Sequence, residues 1–334
     1  MFEGFAQQWT PLLPSSGVTR SLRSVTVAGT PLVTWRAPDG QPLVFVDRCP
    51  HRGVALSLGS VTDDGGIACA FHGWEFDRDG RCTHVPFNPG VTLVRLGATA
   101  LPSAEAGGLV WVFTGFGPLG DPSYPASLDD PAQVRGTHLR EWKCHWTRAL
   151  ESLLDSTHVP YVHAGTMGRL MRRRQRRDSV MRVLVVDEDF GFGYLDGIDD
   201  HPPTGELFWY RPNLMVLEAV IPPRLLRLYI WCVPIDEGRT RLIEVTTRNF
   251  ATGRAATAAV EVYNRVMFRQ IRRVVETSPA GPVPDPHLQQ NVPTDKPALI
   301  FRSWYLRELA GSSVPLPGGP VRPDRSTPAG PQPG

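Results

Sequence analysis

Cys49-Pro-His-Arg-Gly-Val-Ala-Leu-Ser-Leu-Gly59 and, further on, Cys69-Ala-Phe-His-Gly-Trp-Glu-Phe-Asp-Arg-Asp-Gly-Arg-Cys82 are the stretches on which the reading of this chain turns. Each offers a cysteine and a histidine at short spacing, Cys49 with His51 and Cys69 with His72. Two thiolates and two imidazoles suit tetrahedral zinc. They also suit a [2Fe–2S] cluster with two Cys on one iron and two His on the other, in which neutral imidazoles raise the reduction potential. Each pair follows a predicted strand, 44–47 and 67–69, and is followed by a glycine, Gly53 or Gly73. A glycine there lets backbone amides approach bridging sulfides, so the surroundings favour the cluster over zinc.

Outward from these loops, the first ~115 residues read as all-β. Short runs rich in Val, Leu and Trp recur at 24–27, 32–36, 43–46, 67–70, 92–96 and 109–113, punctuated by Asp39-Gly40, Asp64-Gly65-Gly66 and Asp79-Gly80. A Gly/Pro/Ser/Asp-rich linker is expected over 115–130. Residues 142–162 have helical character, 180–245 return to strands, and 255–277 form a helix. Val260, Tyr263, Met267, Ile271 and Val274 follow at steps of three or four on that helix, which predicts its buried face. The last residues, 312–334, are Pro/Gly-rich without period and are expected to be a disordered tail.

The chain has 334 residues, 41% hydrophobic and 20% charged, with a net charge of +2, ordinary for a globular protein with a sizeable core. That charge gives no global reason for a nucleic-acid or anionic-membrane partner. No stretch approaches the ~18 apolar residues of a spanning helix, and the N-terminus lacks the pattern of a secretory signal. Five cysteines are too few for a disulfide scaffold in so long a chain. The expectation is a cytoplasmic protein with reduced thiols, in which Cys82, Cys144 and Cys232 are small buried hydrophobes. The run Arg172 to Arg177 reads as a solvated face or a docking site for an acidic electron donor. Phe208, Trp209, Tyr210, Leu214 and Met215 are core, or in part the wall of an apolar pocket.

The two quoted stretches resemble the C-x-H…C-x-x-H fingerprint of Rieske non-haem iron oxygenases, of the aromatic-ring-hydroxylating and O-demethylase type. The extra disulfide cysteines of respiratory Rieske proteins would fall at Val54 and Phe71, and neither is cysteine. Downstream, Glu151-Ser-Leu-Leu-Asp155-Ser-Thr-His158-Val-Pro-Tyr-Val-His163 resembles that family's E-N-x-x-D-x-x-H-x-x-x-x-H signature, with Ser152 in place of Asn. The resemblance implies an α+β protein in three parts. These are an all-β Rieske domain (1–118), a helix-grip-like (START-like) catalytic domain with an antiparallel sheet (119–311), and the tail (312–334). It implies a [2Fe–2S] cluster on Cys49, His51, Cys69 and His72, and a mononuclear Fe(II) on His158 and His163. It also implies a head-to-tail homotrimer in which Asp155 links His158 or His163 to His72 of the neighbouring chain. The implied activity is O2-dependent hydroxylation, demethylation or oxidative cyclisation of a small, cyclic organic substrate. No dinucleotide or flavin fingerprint is present, so an NAD(P)H-dependent reductase, with or without a ferredoxin, is implied as donor.

The pattern breaks at the third iron ligand. The family supplies a carboxylate from a C-terminal helix, in a pattern like E-D-x-x-V-V-E, where this chain has Gln270-Ile271-Arg-Arg-Val-Val-Glu276. Ile271 cannot ligate a metal, Gln270 would be a weak neutral ligand, and Glu276 lies ~140° around an ideal helix. The third ligand is therefore unknown. Three readings stand: an altered catalyst, recruitment of Glu276 or a residue from elsewhere, or an electron-transfer or structural subunit with a degenerate second site. A carboxylate-free centre carries one more positive charge and would favour an anionic ligand or substrate. Asp295 and the residues after it resemble a late family strand lining the pocket.

Overall fold

The computed structural model describes residues 1–201 and 205–316, which divide into two compact units. The first is Met1–Ser123 with the segment from Ser312, and the second is Tyr124–Gly311. Of the expected tail, 317–334 lie outside the described residues. Its first residues instead return to the N-terminus: the Gly4 amide donates to Ser312 O (2.8 Å), the Val314 amide to Met1 O (3.0 Å), and Val314 is buried.

The first unit is built of short antiparallel strands, as its alternating Val/Leu/Trp runs require. One sheet pairs Arg23–Val27, Thr30–Arg36, Pro42–Val46 and Ala100–Leu101 in that order. A second places Leu109–Phe113 between Trp9–Pro14 and Ser103–Ala106. Trp9–Pro14 escapes a sequence reading because two prolines interrupt it. It is tolerated as an edge strand whose register shifts between Pro11 and Leu13. The stretch 92–96, expected as a strand, is a single 3-10 turn (Leu93–Arg95) with Val94 in solvent. A third, small sheet (Ser60–Val61, Ile67–Ala68, Glu75–Phe76, Cys82–His84) presents the two Cys/His loops. Behind those loops Trp35, Phe45, Leu56, Ile67 and Phe76 pack with Cys49 and Cys69 in one core. Each such large apolar side chain contributes about 1.5–3 kcal/mol on burial, which anchors the loops from beneath.

In the second unit seven strands form one antiparallel sheet. They are β1 (Val134–Trp142), β2 (Met181–Glu188), β3 (Gly191–Ile198), β4 (Gly205–Tyr210), β5 (Leu214–Ile221), β6 (Arg224–Asp236) and β7 (Arg239–Arg248). Their order is β1-β7-β6-β5-β4-β3-β2. The helices are α1 (Trp146–Leu153), α2 (Val159–Val162), α3 (Arg169–Arg174), α4 (Arg254–Val275) and α5 (Lys296–Glu308). A β-domain followed by an antiparallel sheet with a long helix is the α+β arrangement expected.

Two expectations need correction. The buried face of α4 is Asn264, Met267, Phe268, Ile271 and Val275, whereas Tyr263 and Val274 are exposed. A polar anchor turns the helix: Asn264 Nδ2 donates to Glu244 (2.7 Å) and Thr246 (2.9 Å) on β7. Glu244 is fully buried, so its bonds to Asn264 and Arg140 offset a desolvation that an apolar pattern does not foresee. The stretch from Asp295, expected as a strand, is helix α5, since Pro297, Ala298, Phe301, Arg302 and Tyr305 bury one helical face. Arg302 ties α5 to α1 through Glu151, and Trp146 meets Phe301 and Tyr305 edge-on. Among the described residues no helix is long and apolar enough to cross a membrane.

Candidate iron–sulfur and metal centres

The two Cys/His loops of the first unit share one backbone design. The Cys49 amide donates to Val54 O and the Gly53 amide to Cys49 O, both at 2.8 Å. The Cys69 amide donates to Trp74 O (2.8 Å) and the Gly73 amide to Cys69 O (3.0 Å). Counted from its cysteine, each loop has the same bonds and a glycine at the fourth place, with φ of +75° at Gly53 and +68° at Gly73. A side chain there would meet the left-handed penalty. The histidine falls at the second place in one loop and the third in the other, and the rings end 4.7 Å apart. Both cysteines are buried and adjacent, and burial pushes the Cys49 thiol up to about 11. Such a site keeps thiols protonated until a metal replaces the proton. Trp74 stacks on His51 at 4.5 Å, and His51 Nδ1 is buried with no hydrogen-bond partner. Two buried thiols with two neighbouring imidazoles, one of them with an orphaned buried nitrogen, fit the donor set of a Cys2His2 [2Fe–2S] cluster. His72 and Phe71, by contrast, are exposed.

In the second unit His158 and His163 bracket α2 as its two caps. On a continuing helix residues five apart would diverge by ~140°. The helix stops at Val162, His163 leaves at φ −102°, ψ 24°, and the two rings come to 5.2 Å. Nδ1 of His163 has a hydrogen-bond partner, whereas the buried Nδ1 of His158 has only the Asp155 carboxylate nearby, beyond hydrogen-bond distance. His163 Nδ1 lies 2.9 Å from Gln270 Oε1, and His158 Nδ1 lies 3.7 Å from Asp155 Oδ2. Holding Nδ1 from behind is how metal-ligating histidines are oriented, with Nε2 left for the metal. Asp155 Oδ1 accepts from the Thr157 amide (2.7 Å) and hydroxyl (2.6 Å). Burial raises the Asp155 carboxyl, but His158 and Thr157 outweigh it and hold the group below its ordinary value. Burial lowers His163 towards its neutral, ligating form, against the opposing bond to Gln270.

Both histidines open on a cavity of about 130 Å³ between the sheet and the helices. Its walls are mainly apolar, including Met167, Met215, Leu228, Met267 and Phe268. Ile271 on α4, where the family resemblance puts a carboxylate, lines the same cavity as the two histidines and brings a hydrocarbon side chain to it. Among the described residues no three His, Cys, Asp or Glu side chains gather closely enough to hold one metal ion. Two imidazoles fit a metal here; a third protein ligand is not assembled. Glu276, weighed as a substitute, is excluded by its position. Its Oε1 accepts from the Lys143 amide and from Arg272 Nε, each at 2.7 Å, and the residue is not among those lining the cavity. Gln270 is spent on His163.

Sequence reasoning missed Asp196, whose carboxyl lines the same cavity from β3. Burial raises it, a bond to Ser156 opposes that, and Asp155 adds repulsion. The signal was a carboxylate two places after buried Tyr194, on the inward alternation of a strand. Of the aromatic-rich group, Met215 lines the cavity while Trp209 and Leu214 are core; Asp295 does not line it. Cys82, Cys144 and Cys232 are buried and free.

Residues 8–95 match the Rieske [2Fe–2S] domain, which makes the first unit an iron–sulfur domain. Residues 142–310, half of the chain, match the vanillate O-demethylase oxygenase C-terminal domain. The chain belongs to this Rieske oxygenase family. It is 36% identical over 175 residues (50% of this chain, 26% of the relative) to chlorophyllide a oxygenase of Chlamydomonas reinhardtii. It is 33% identical over 166 residues (49% of this chain, 47% of the relative) to the oxygenase component of dicamba O-demethylase from Stenotrophomonas maltophilia. The chain spans about half or less of the length of these curated relatives. Its fold is that of dicamba monooxygenase bound to dicamba, with a TM-score of 0.75 at 21% identity over 90% of this chain and 96% of the other. It matches Pseudomonas putida CBB5 NdmA with a TM-score of 0.77 at 20% identity, over 90% of this chain and 89% of the other.

Proposed function

We propose that the chain is a Rieske-type oxygenase component that oxidises a small aromatic substrate with O2, by hydroxylation, demethylation or oxidative cyclisation. The observation that carries this reading is the pair of oriented histidines opening on an apolar cavity, in a chain whose other unit is a Rieske domain. Cys49, His51, Cys69 and His72 would hold the cluster, and His158 and His163 a mononuclear iron with positions open for dioxygen and substrate. When bound, these groups supply single electrons and a site for oxygen activation. The chain's residues do the rest. Asp155 and Gln270 fix the two imidazoles in their ligating orientation, and the apolar walls keep water from the reacting ring.

The partners follow from the same reading. The exposed His72, Phe71 and fully exposed Phe87 leave the cluster tip open for contact. In a head-to-tail homotrimer Asp155 would carry the link from His158 to the neighbouring chain's cluster. A cytoplasmic NAD(P)H-dependent reductase, alone or through a ferredoxin, would be the donor. A second reading, an electron-transfer or structural subunit with a degenerate second site, is favoured by Ile271 alone. The test is substrate-dependent oxygen uptake by the iron-loaded protein with a competent reductase. Uptake that stops in Asp155→Asn while the cluster's visible spectrum persists supports the oxygenase. No uptake from the native chain with any aromatic tried contradicts it.

A further inference from the structure

Resting on the reading of this cavity as the place of substrate oxidation, its charge pattern says which substrates enter. No Lys or Arg side chain lines it among the described residues; the only charged groups are Asp155 and Asp196. Asp155 is turned to Thr157 and His158. Among the described residues Asp196 has no cationic partner: the groups acting on it are the Ser156 hydroxyl and the like charge of Asp155. Its partner is Ser156, whose Oγ lies 3.1 Å from the Tyr194 hydroxyl, which itself donates to Leu154 O (2.8 Å). On the next strand Gly205 stands beside it, since Leu195 pairs with Glu206, so no side chain there screens the carboxyl from the cavity.

This reverses an expectation. A centre without the carboxylate lost at Ile271 would draw an anionic substrate. Asp196 puts a carboxyl back into the same cavity from the sheet side, on the wall rather than on the metal. An aromatic carboxylate entering here would set a second acid beside it, with no Lys or Arg side chain in the wall to pair either one.

We propose that Asp196 is a specificity-determining residue that rejects carboxylate-bearing aromatics and selects an uncharged single ring carrying a hydroxyl or amine donor. The size limits the occupant to one ring: an apolar cavity of about 150 Å³ holds benzene, and this one, open at one side, is about 130 Å³. Methionines in the wall let the fit adapt to substituents.

The probes are para-methoxyphenol and para-methoxybenzoate, titrated calorimetrically near neutral pH into iron-loaded and iron-free protein. The phenol is expected to bind roughly 100-fold more tightly than the benzoate. Asp196→Asn and Asp196→Ser, each checked for a native circular dichroism spectrum, should cut that ratio at least about tenfold. Equal or tighter binding of the benzoate overturns the proposal. So does an unchanged ratio in the variants, or no binding of either probe. Iron content is read in parallel. A chain that keeps the phenol preference but never holds iron at the histidines retains this inference and loses the oxygenase reading.

Discussion

The cluster loops of the first unit and the histidine pair of the second are built on opposite plans. Each cluster loop is self-contained: a cysteine, a histidine and a left-handed glycine within five residues, closed by two backbone bonds. The histidine pair is assembled from distant elements. Asp155 precedes α2, Gln270 and Ile271 come from α4, and Asp196 comes from β3. A self-contained loop sets its cysteine and histidine by its own backbone bonds. An assembled site depends on several elements at once, and the substitution read at Ile271 would change one of them without touching the others.

The strongest way to break this contrast is Cys69→Ser, which should remove the cluster's visible absorption and about two irons per chain, measured by spectroscopy and metal analysis. His163→Ala should do the reverse. The cluster spectrum persists, while the affinity of the second site for Fe(II) or a Co(II) probe falls at least ~100-fold. Ile271→Asp sharpens the comparison by restoring the missing contributor. Metal affinity should rise ~10-fold or more, and the metal-free variant should lose about 1–3 kcal/mol for burying an unpaired carboxyl, read by denaturant unfolding. Gln270→Leu, which frees His163 Nδ1, should weaken metal binding by about 10-fold. The smallest effect belongs to Glu276→Gln. Metal affinity should not change, and stability should drop by no more than ~1 kcal/mol as the ion pair with Arg272 and the bond from the Lys143 amide weaken.

The same contrast explains what a bare sequence tells. The candidate cluster ligands could be picked out in the sequence because each Cys/His pair, with its glycine, lies within one short loop. His158 and His163 were legible as a pair because one helical turn joins them. Gln270 and Asp196 were not, because nothing local marks an amide that reaches an imidazole from another element. An acid on the inward face of a strand is likewise silent until the sheet and helices enclose it. The face of α4 was misjudged for a related reason. Periodicity counts apolar residues, and it passed over Asn264, whose bonds to Glu244 and Thr246 set the helix's rotation. The strand Trp9–Pro14 was hidden by its prolines, and helix α5 by a weak resemblance of the residues after Asp295 to a late family strand.

The central claim is that the second site holds a metal on two histidines without a third protein carboxylate. Counting iron per chain in anaerobically reconstituted protein, beside the His158→Ala/His163→Ala double variant, tests it most directly. The account predicts about three irons in the native chain and about two in the variant, with identical cluster spectra. Two irons in both would contradict it.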